Sequence, residues 1–316
     1  MRSESRITRR TFLHGAAAGA TLAAGYRPSG VSAAEAPGPL FDIHVHLGMV
    51  WGSRPALGVA DLLRWMDAHR IEAAAVLPLI SPESWDHPLT TDWVLQETKA
   101  HRDRLIPFCS IDPRTTIIDT QQKKADLLKR YRDAGARGFG EHKAGVPMDD
   151  PRNLETLAAC AEIGMPVLFH LDNERNMDKP GLPGLESVLR QLPKGVFIGH
   201  AQGWWASISG DVTQEQLDGY PTGKVAPGGA IDALMDRYPN IYGDLSAGSG
   251  ANAIMRDLEF GRKFLIRRAD RLLFGTDYLA PEQKVPQFDL YRDLDLPSDA
   301  AEKIYRGNAK RLLGLS

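Results

Sequence analysis

A (β/α)8 TIM barrel is the fold this sequence predicts, and three observations carry the prediction. Apolar runs bounded by turn signals are centred near residues 43, 76, 108, 139, 168, 198, 242 and 274. Most gaps are about thirty residues, the length of one strand-plus-helix unit. Helix-period segments lie between the runs and no hairpin signal interrupts them, so the strands should be parallel. Lastly, His44, His46, His170, His200 and Asp277 follow the first, fifth, sixth and eighth runs, at the strand ends where such a barrel keeps its active site. An open doubly wound sheet would instead offer a glycine-rich phosphate loop after its first strand. Here His44-Val45-His46 stands in that place.

Residues 1–36 are set apart from the folded domain, which is expected over 37–316. Thr8-Arg9-Arg10-Thr11-Phe12-Leu13 resembles a twin-arginine export signal, followed by the small, mildly apolar stretch Ala16 to Ala24. Val31-Ser32-Ala33 and Ala34-Glu35-Ala36 are cleavage candidates, and the periplasm or cell exterior is the expected location. In the first unit, Phe41-Asp42-Ile43-His44-Val45-His46 is an apolar run with histidines two apart, so both rings project to one face. Asp61 to Met66 then shows a helical period with Leu62, Leu63 and Met66 on one side.

Later units follow the same grammar. Gly135 and Gly164 close their helices ahead of the next strand, and Leu154–Ile163 is a helix with Leu154, Leu157, Ala158 and Ala161 on its buried face. In the fourth strand Glu141 and Lys143 should share one face, with His142 on the other. The plain reading of these residues, slightly favoured, is a Glu–Lys pair at the strand end that orients its neighbours. The connection Ala201–Gly229 is long and rich in Gly and Pro, as lids and recognition loops are. Trp204-Trp205 at its start would either anchor it or stack on a substrate. Pro239 ends a helix over Ile231–Tyr238. Asp244 to Asn252 reads as a glycine-rich turn entering a helix, a place that favours an anion such as a substrate carboxylate.

Composition narrows the function. The chain has 316 residues, 43% hydrophobic and 25% charged, with a formal net charge of -2, which gives no reason to expect nucleic acid or an anionic membrane as partner. No mature segment approaches the ~18 consecutive apolar residues of a membrane span. The two cysteines, Cys109 and Cys160, sit in apolar settings and should be free buried thiols. Homo-oligomerisation is left open. Three imidazoles and a carboxylate at one barrel mouth are a donor set for a catalytic divalent metal with a position left for water.

The chain resembles the amidohydrolase superfamily of metal-dependent hydrolases, in particular the amidohydrolase-related group that also holds decarboxylases of the aminocarboxymuconate-semialdehyde type. The landmarks are Asp42-Ile43-His44-Val45-His46, Leu105-Ile106-Pro107-Phe108 leading to Asp112-Pro113, Phe169-His170, Gly199-His200, Gly275-Thr276-Asp277 and Asn308-Ala309-Lys310-Arg311-Leu312-Leu313. What the resemblance implies is one divalent ion, most often zinc, held by His44, His46, His170 and Asp277, or two ions bridged by Glu141, the better candidate, or by a carboxylated Lys143. Asp277 would also move the proton of the attacking water, and His200 would hydrogen-bond that water or the developing oxyanion. The expected reaction is hydrolysis of a small-molecule amide C–N or lactone C–O bond. The alternative is decarboxylation of an aromatic or unsaturated acid on the same site.

Overall fold

The computed structural model describes residues 38–315, so the expected export segment lies outside the described residues. Eight strands run Leu40–Val45 (β1), Ile71–Val76 (β2), Leu105–Cys109 (β3), Gly138–His142 (β4), Val167–His170 (β5), Phe197–His200 (β6), Ile241–Asp244 (β7) and Leu272–Leu273 (β8). Each pairs in parallel with the next. Backbone bonds from Ile43 N–H to Phe274 O (3.0 Å), His46 N–H to Tyr278 O (3.0 Å) and Asp277 N–H to His44 O (2.8 Å) tie β1 to the chain just beyond β8. This closes the TIM barrel.

The strands are short and almost wholly buried because both faces are covered. Phe41, Ile43, Ala75, Leu77, Ile106, Phe108, Leu168, Ile198 and Leu273 fill the barrel interior, and Ala309 and Leu313 pack into the same cluster. That explains the terminal Asn308-to-Leu313 landmark. Its helix, Asn308–Leu313, covers part of the interior core, and the Asn308 amide donates to Ala269 O (2.7 Å) and Leu272 O (2.8 Å).

Helices expected from the sequence appear at Val59–Ala68, Pro151–Glu162 and Ala230–Arg237. Leu62 and Met66 are fully buried. Gly135 and Gly164 have φ of 114° and 68°, the left-handed backbone that lets a helix turn into the next strand without a Cβ penalty. Both cysteines are free and buried, with Cys109 Sγ 3.4 Å from Met165 Sδ. The connection after β6 is less open than its composition suggests, since helix Ala201–Ala206 starts directly behind His200. Trp204 and Trp205 lie in it, 0% and 1% exposed, and Trp205 Nε1 donates to Asp244 O at 2.8 Å. Of the two roles open to the pair, anchoring is the one observed. Among the described residues no helix is long and apolar enough to cross a membrane.

Candidate metal centre and active site

The histidine pair on β1 depends on a local irregularity. Pairing with β2 is irregular between Asp42 and Val45, and across this step the inward series changes. Phe41 and Ile43 point into the barrel core, whereas Val45 packs outward with the helices. His44 and His46 thereby reach the mouth together, with their Nε2 atoms 3.1 Å apart. A bulge re-aims side chains in just this way.

Asp42 holds the bend. Its buried carboxylate accepts from His44 N–H (3.0 Å), Thr276 N–H (3.0 Å) and the Thr276 hydroxyl (2.5 Å), binding β1 to the approach to Asp277. Burial raises this carboxyl to about 7, against the lowering effect of those hydrogen bonds. Asp277 sits at φ 55°, a left-handed conformation that Asp tolerates better than most residues. Gln283 Nε2 donates to its carbonyl at 2.7 Å and helps fix that turn.

The outer nitrogen of three of the four rings is oriented by a carboxylate or carbonyl. His44 Nδ1 donates to Asp244 Oδ2 (2.8 Å) and His46 Nδ1 to Leu77 O (2.8 Å), while His200 Nδ1 lies 3.0 Å from Asp244 Oδ2 and 3.0 Å from Ser246 Oγ. This is the arrangement that fixes ring tautomer and direction in metal-binding histidines. His170 lies between two carboxylates, with Nδ1 2.7 Å from Glu141 Oε1 and Nε2 2.8 Å from Asp172 Oδ2.

Glu141 stands at the centre. Its Oε2 lies 3.4 Å from His46 Nε2, 3.7 Å from His44 Nε2 and 3.3 Å from Lys143 Nζ. Its Oε1 faces His170 Nδ1 and, at 3.6 Å, His200 Nε2. Asp277 Oδ1 completes the first side, 3.5 Å from His46 Nε2 and 3.6 Å from His44 Nε2. Two donor groups therefore share one glutamate: His44, His46 and Asp277 on one oxygen, His170 and His200 on the other. The sequence reading grouped His170 with His44, His46 and Asp277; in the structure His170 and His200 both approach Glu141 Oε1. Glu141 and Lys143 do share a face, and His142 points away to Asn153 Oδ1 at 2.6 Å.

Burial alone would raise Glu141, yet Lys143 and hydrogen bonds from His170, His44 and His46 hold it well below the usual range. Burial would lower His44, and the Asp277 charge, hydrogen bonds to Asp244 and Glu141 and the Glu141 charge outweigh it and push that ring well above its ordinary value. For His200 burial wins, with repulsion from His44 adding to it, and its value falls. The donor chemistry fits a divalent cation on an independent ground. With the Nδ1 atoms of His44 and His46 already donating, neutral rings bring two lone pairs face to face at 3.1 Å, a contact relieved by a proton or a cation between them.

Sequence reasoning missed the outer carboxylates Asp244 and Asp172 and the hydroxyl of Ser246. Asp172 carried a signal, since it follows His170 by two residues as His46 follows His44. Asp244 ends β7, the one barrel position beside β6 and β8 left without an assigned role.

A family model described as amidohydrolase matches residues 42–315. The chain belongs to the amidohydrolase family. No curated protein matches it. Among solved structures it is similar to an amidohydrolase from Burkholderia multivorans solved with bound zinc (14% identity, TM-score 0.59, 88% of this chain and 100% of that one). It is also similar to 2,6-dihydroxybenzoate decarboxylase from Rhizobium (17%, TM-score 0.53, 88% and 99%). A third likeness is to a probable 2-pyrone-4,6-dicarboxylic acid hydrolase from Acinetobacter baumannii (13%, TM-score 0.57, 87% and 99%). At these identities the likenesses show the fold. The family match makes this amidohydrolase an enzyme of the superfamily, with a buried His/Glu/Asp cluster compatible with a divalent metal.

Proposed function

We propose that this amidohydrolase is a metal-dependent hydrolase that cleaves an amide C–N or lactone C–O bond of a small molecule. The observation that carries the reading is Glu141 offering one oxygen to each of two histidine groups, the layout of a centre for two divalent ions, zinc being the expected metal. His44, His46 and Asp277 would hold one ion, and His170 and His200 the other. A cation bound there supplies Lewis acidity and eases loss of a proton from water at neutral pH.

The remaining work falls to the chain's own groups. The Asp277 side chain is 21% exposed, whereas Glu141 beside it is 1% exposed. It is thus the carboxylate placed to take a proton from water and return it to the leaving group. His200 Nδ1 is held by Asp244 and Ser246, so its Nε2 stays aimed at Glu141 and the second ion's position without the ring turning. Lys143 pins Glu141 as an anion between the two groups.

Decarboxylation on the same ligands is the second reading, favoured by the likeness to a dihydroxybenzoate decarboxylase. The test is to supply zinc-loaded protein with lactones, amides and aromatic acids and to measure ring or bond opening and carbon dioxide from the same samples. Hydrolysis without carbon dioxide is expected; carbon dioxide release from an aromatic acid with no hydrolysis of any lactone or amide sinks the hydrolase reading. From Arg9-Arg10 and the small-residue stretch behind them, we also infer export by the twin-arginine route.

A further inference from the structure

We propose that Asn176 is a positioning residue for the metal centre: its buried side-chain amide ties the ends of β4 and β5 together and so sets the separation of Glu141 and His170. The proposal rests on the reading of Glu141 as a bridge and names what holds that bridge in place. The paired register of β4 and β5 ends at His142 and Phe169, the residues next to Glu141 and His170. Past that point the two strand ends share one donor. Asn176, 0% exposed, gives its Nδ2 to His142 O at 2.6 Å and to His170 O at 2.9 Å. Both hydrogens of the amide are thereby used, one on each strand.

The amide is held so that it cannot turn over. Reversed, its oxygen would face two carbonyl oxygens in a buried setting and leave both without this donor. Asn153 fixes the other end, donating from Nδ2 to Asn176 Oδ1 (3.1 Å) and to Met148 O (3.0 Å). Its own Oδ1 therefore accepts from His142 Nε2 at 2.6 Å. Donation runs in one direction, from the His142 ring through Asn153 and Asn176 to the carbonyls of His142 and His170. The main chain delivers Asn176 to this spot, with its N–H bonded to Ala144 O (2.8 Å) and that of Met177 to Val146 O (3.0 Å). Its φ of 45° lies in the left-handed region that Asn tolerates better than most residues.

Glu141 and His170 come from different strands, yet Glu141 Oε1 and His170 Nδ1 stand 2.7 Å apart. Two donors that share an ion need their backbones held at a fixed spacing, and groups behind the ligands commonly govern metal affinity in this way. A second buried amide separates this role from plain stability. Asn308 Nδ2 joins Ala269 O (2.7 Å) to Leu272 O (2.8 Å) at the start of β8, the opposite end of that strand from Asp277. It makes the same kind of clasp with no donor of the centre beside it.

The test titrates cobalt(II) into chelator-treated wild type, Asn176→Gly and Asn308→Ala, reading affinity by equilibrium dialysis, coordination by the visible spectrum, and thermal melting of each protein. Glycine removes the amide while accepting the left-handed backbone. Asn176→Gly should weaken cobalt binding about tenfold or more and shift the visible bands. Asn308→Ala should lower the melting temperature while keeping wild-type affinity and spectrum. Wild-type affinity and bands in Asn176→Gly would overturn the proposal, as would an equal loss in Asn308→Ala. Asn153→Ala, which frees the Asn176 oxygen, should shift the bands in the same direction; it replaces Asn176→Gly if that variant does not fold, and unchanged bands there would also overturn the proposal. The number of ions in wild type tests the bridge separately. With one ion bound the bridging reading fails, and the difference between wild type and the Asn176 variant still decides this one.

Discussion

Glu141 shows how much one carboxylate can organise. Fully buried between His44 and His46 on one side and His170 and His200 on the other, it would repel neither group once cations are bound, and Lys143 balances its charge when they are not. If it bridges, the wild type should carry about two divalent ions per chain and Glu141→Gln should lose most of both, read by elemental analysis after desalting. His200→Ala should keep only the ion on the His44, His46 and Asp277 side and lose roughly a hundredfold or more in turnover. Full occupancy of both sites in His200→Ala would remove it from the ligand set and leave it the oxyanion role alone. His44 and His46 were legible as a pair because the two-residue period of a strand puts them on one face. The partition of the other histidines was not legible. Whether His170 joins His44 or His200 is set by the distances between strands five, six and one around the barrel, and sequence spacing does not encode those.

At the scale of elements, three connections above the barrel are joined by charge. Arg114, beyond β3, bonds Glu83 of the β2 connection (2.5 and 2.8 Å) and Asp112 (2.9 and 2.6 Å). Arg175, beyond β5, donates to Glu83 O (3.0 Å) and to Asp172 Oδ2 (2.7 Å), the same oxygen that holds His170. Burial would raise Asp112, and hydrogen bonds from Arg114 and Ser81 together with the Arg114 charge bring it down to about 2 from 3.8. A carboxyl lowered in the folded state binds fewer protons there than when unfolded, so its contribution is complete above pH 3.8 and is lost as pH falls through about 2. Arg114→Ala should therefore be less stable near neutral pH and show a flatter loss of melting temperature from about pH 4 down to pH 2 than wild type. Thermal melts followed by circular dichroism across that range would read it, and an unchanged acid limb would mean the network contributes nothing to folding. This cluster was invisible in the sequence beyond the Asp112-Pro113 landmark, because Glu83, Arg114 and Arg175 come from three separate connections.

For the whole molecule, the barrel confines the chemistry to one mouth, and the proposed export signal would decide where that mouth operates. Twin-arginine export carries folded proteins, so the centre could be loaded before the chain leaves the cytoplasm. Replacing Arg9 and Arg10 with Lys should trap the precursor inside the cell, folded and metal-bound, while wild type is cleaved near Ala33 or Ala36. Fractionation with N-terminal sequencing checks this; continued export of the double variant, or a mature chain still beginning at Met1, would show the segment to be something other than a signal.

By itself the sequence determined the eight-fold βα order, the strand ends that carry His44, His46, His170, His200 and Asp277, and the free buried state of Cys109 and Cys160. These follow from local rules: period-2 and period-3.6 patterning, glycine at helix ends, proline where a helix must stop. Only the tertiary structure decided which donors face one another. Closure of β1 onto the chain beyond β8 brings Asp277 to His44 and His46. The end of β7 supplies Asp244 to two histidines at once, and β4 brings Glu141 into the middle of them. Trp204 and Trp205 became anchors for the same reason, since the helix behind His200 folds back onto the barrel and buries both rings. Such contacts join residues up to 234 positions apart, and their energy depends on distance in space, which a one-dimensional pattern cannot carry.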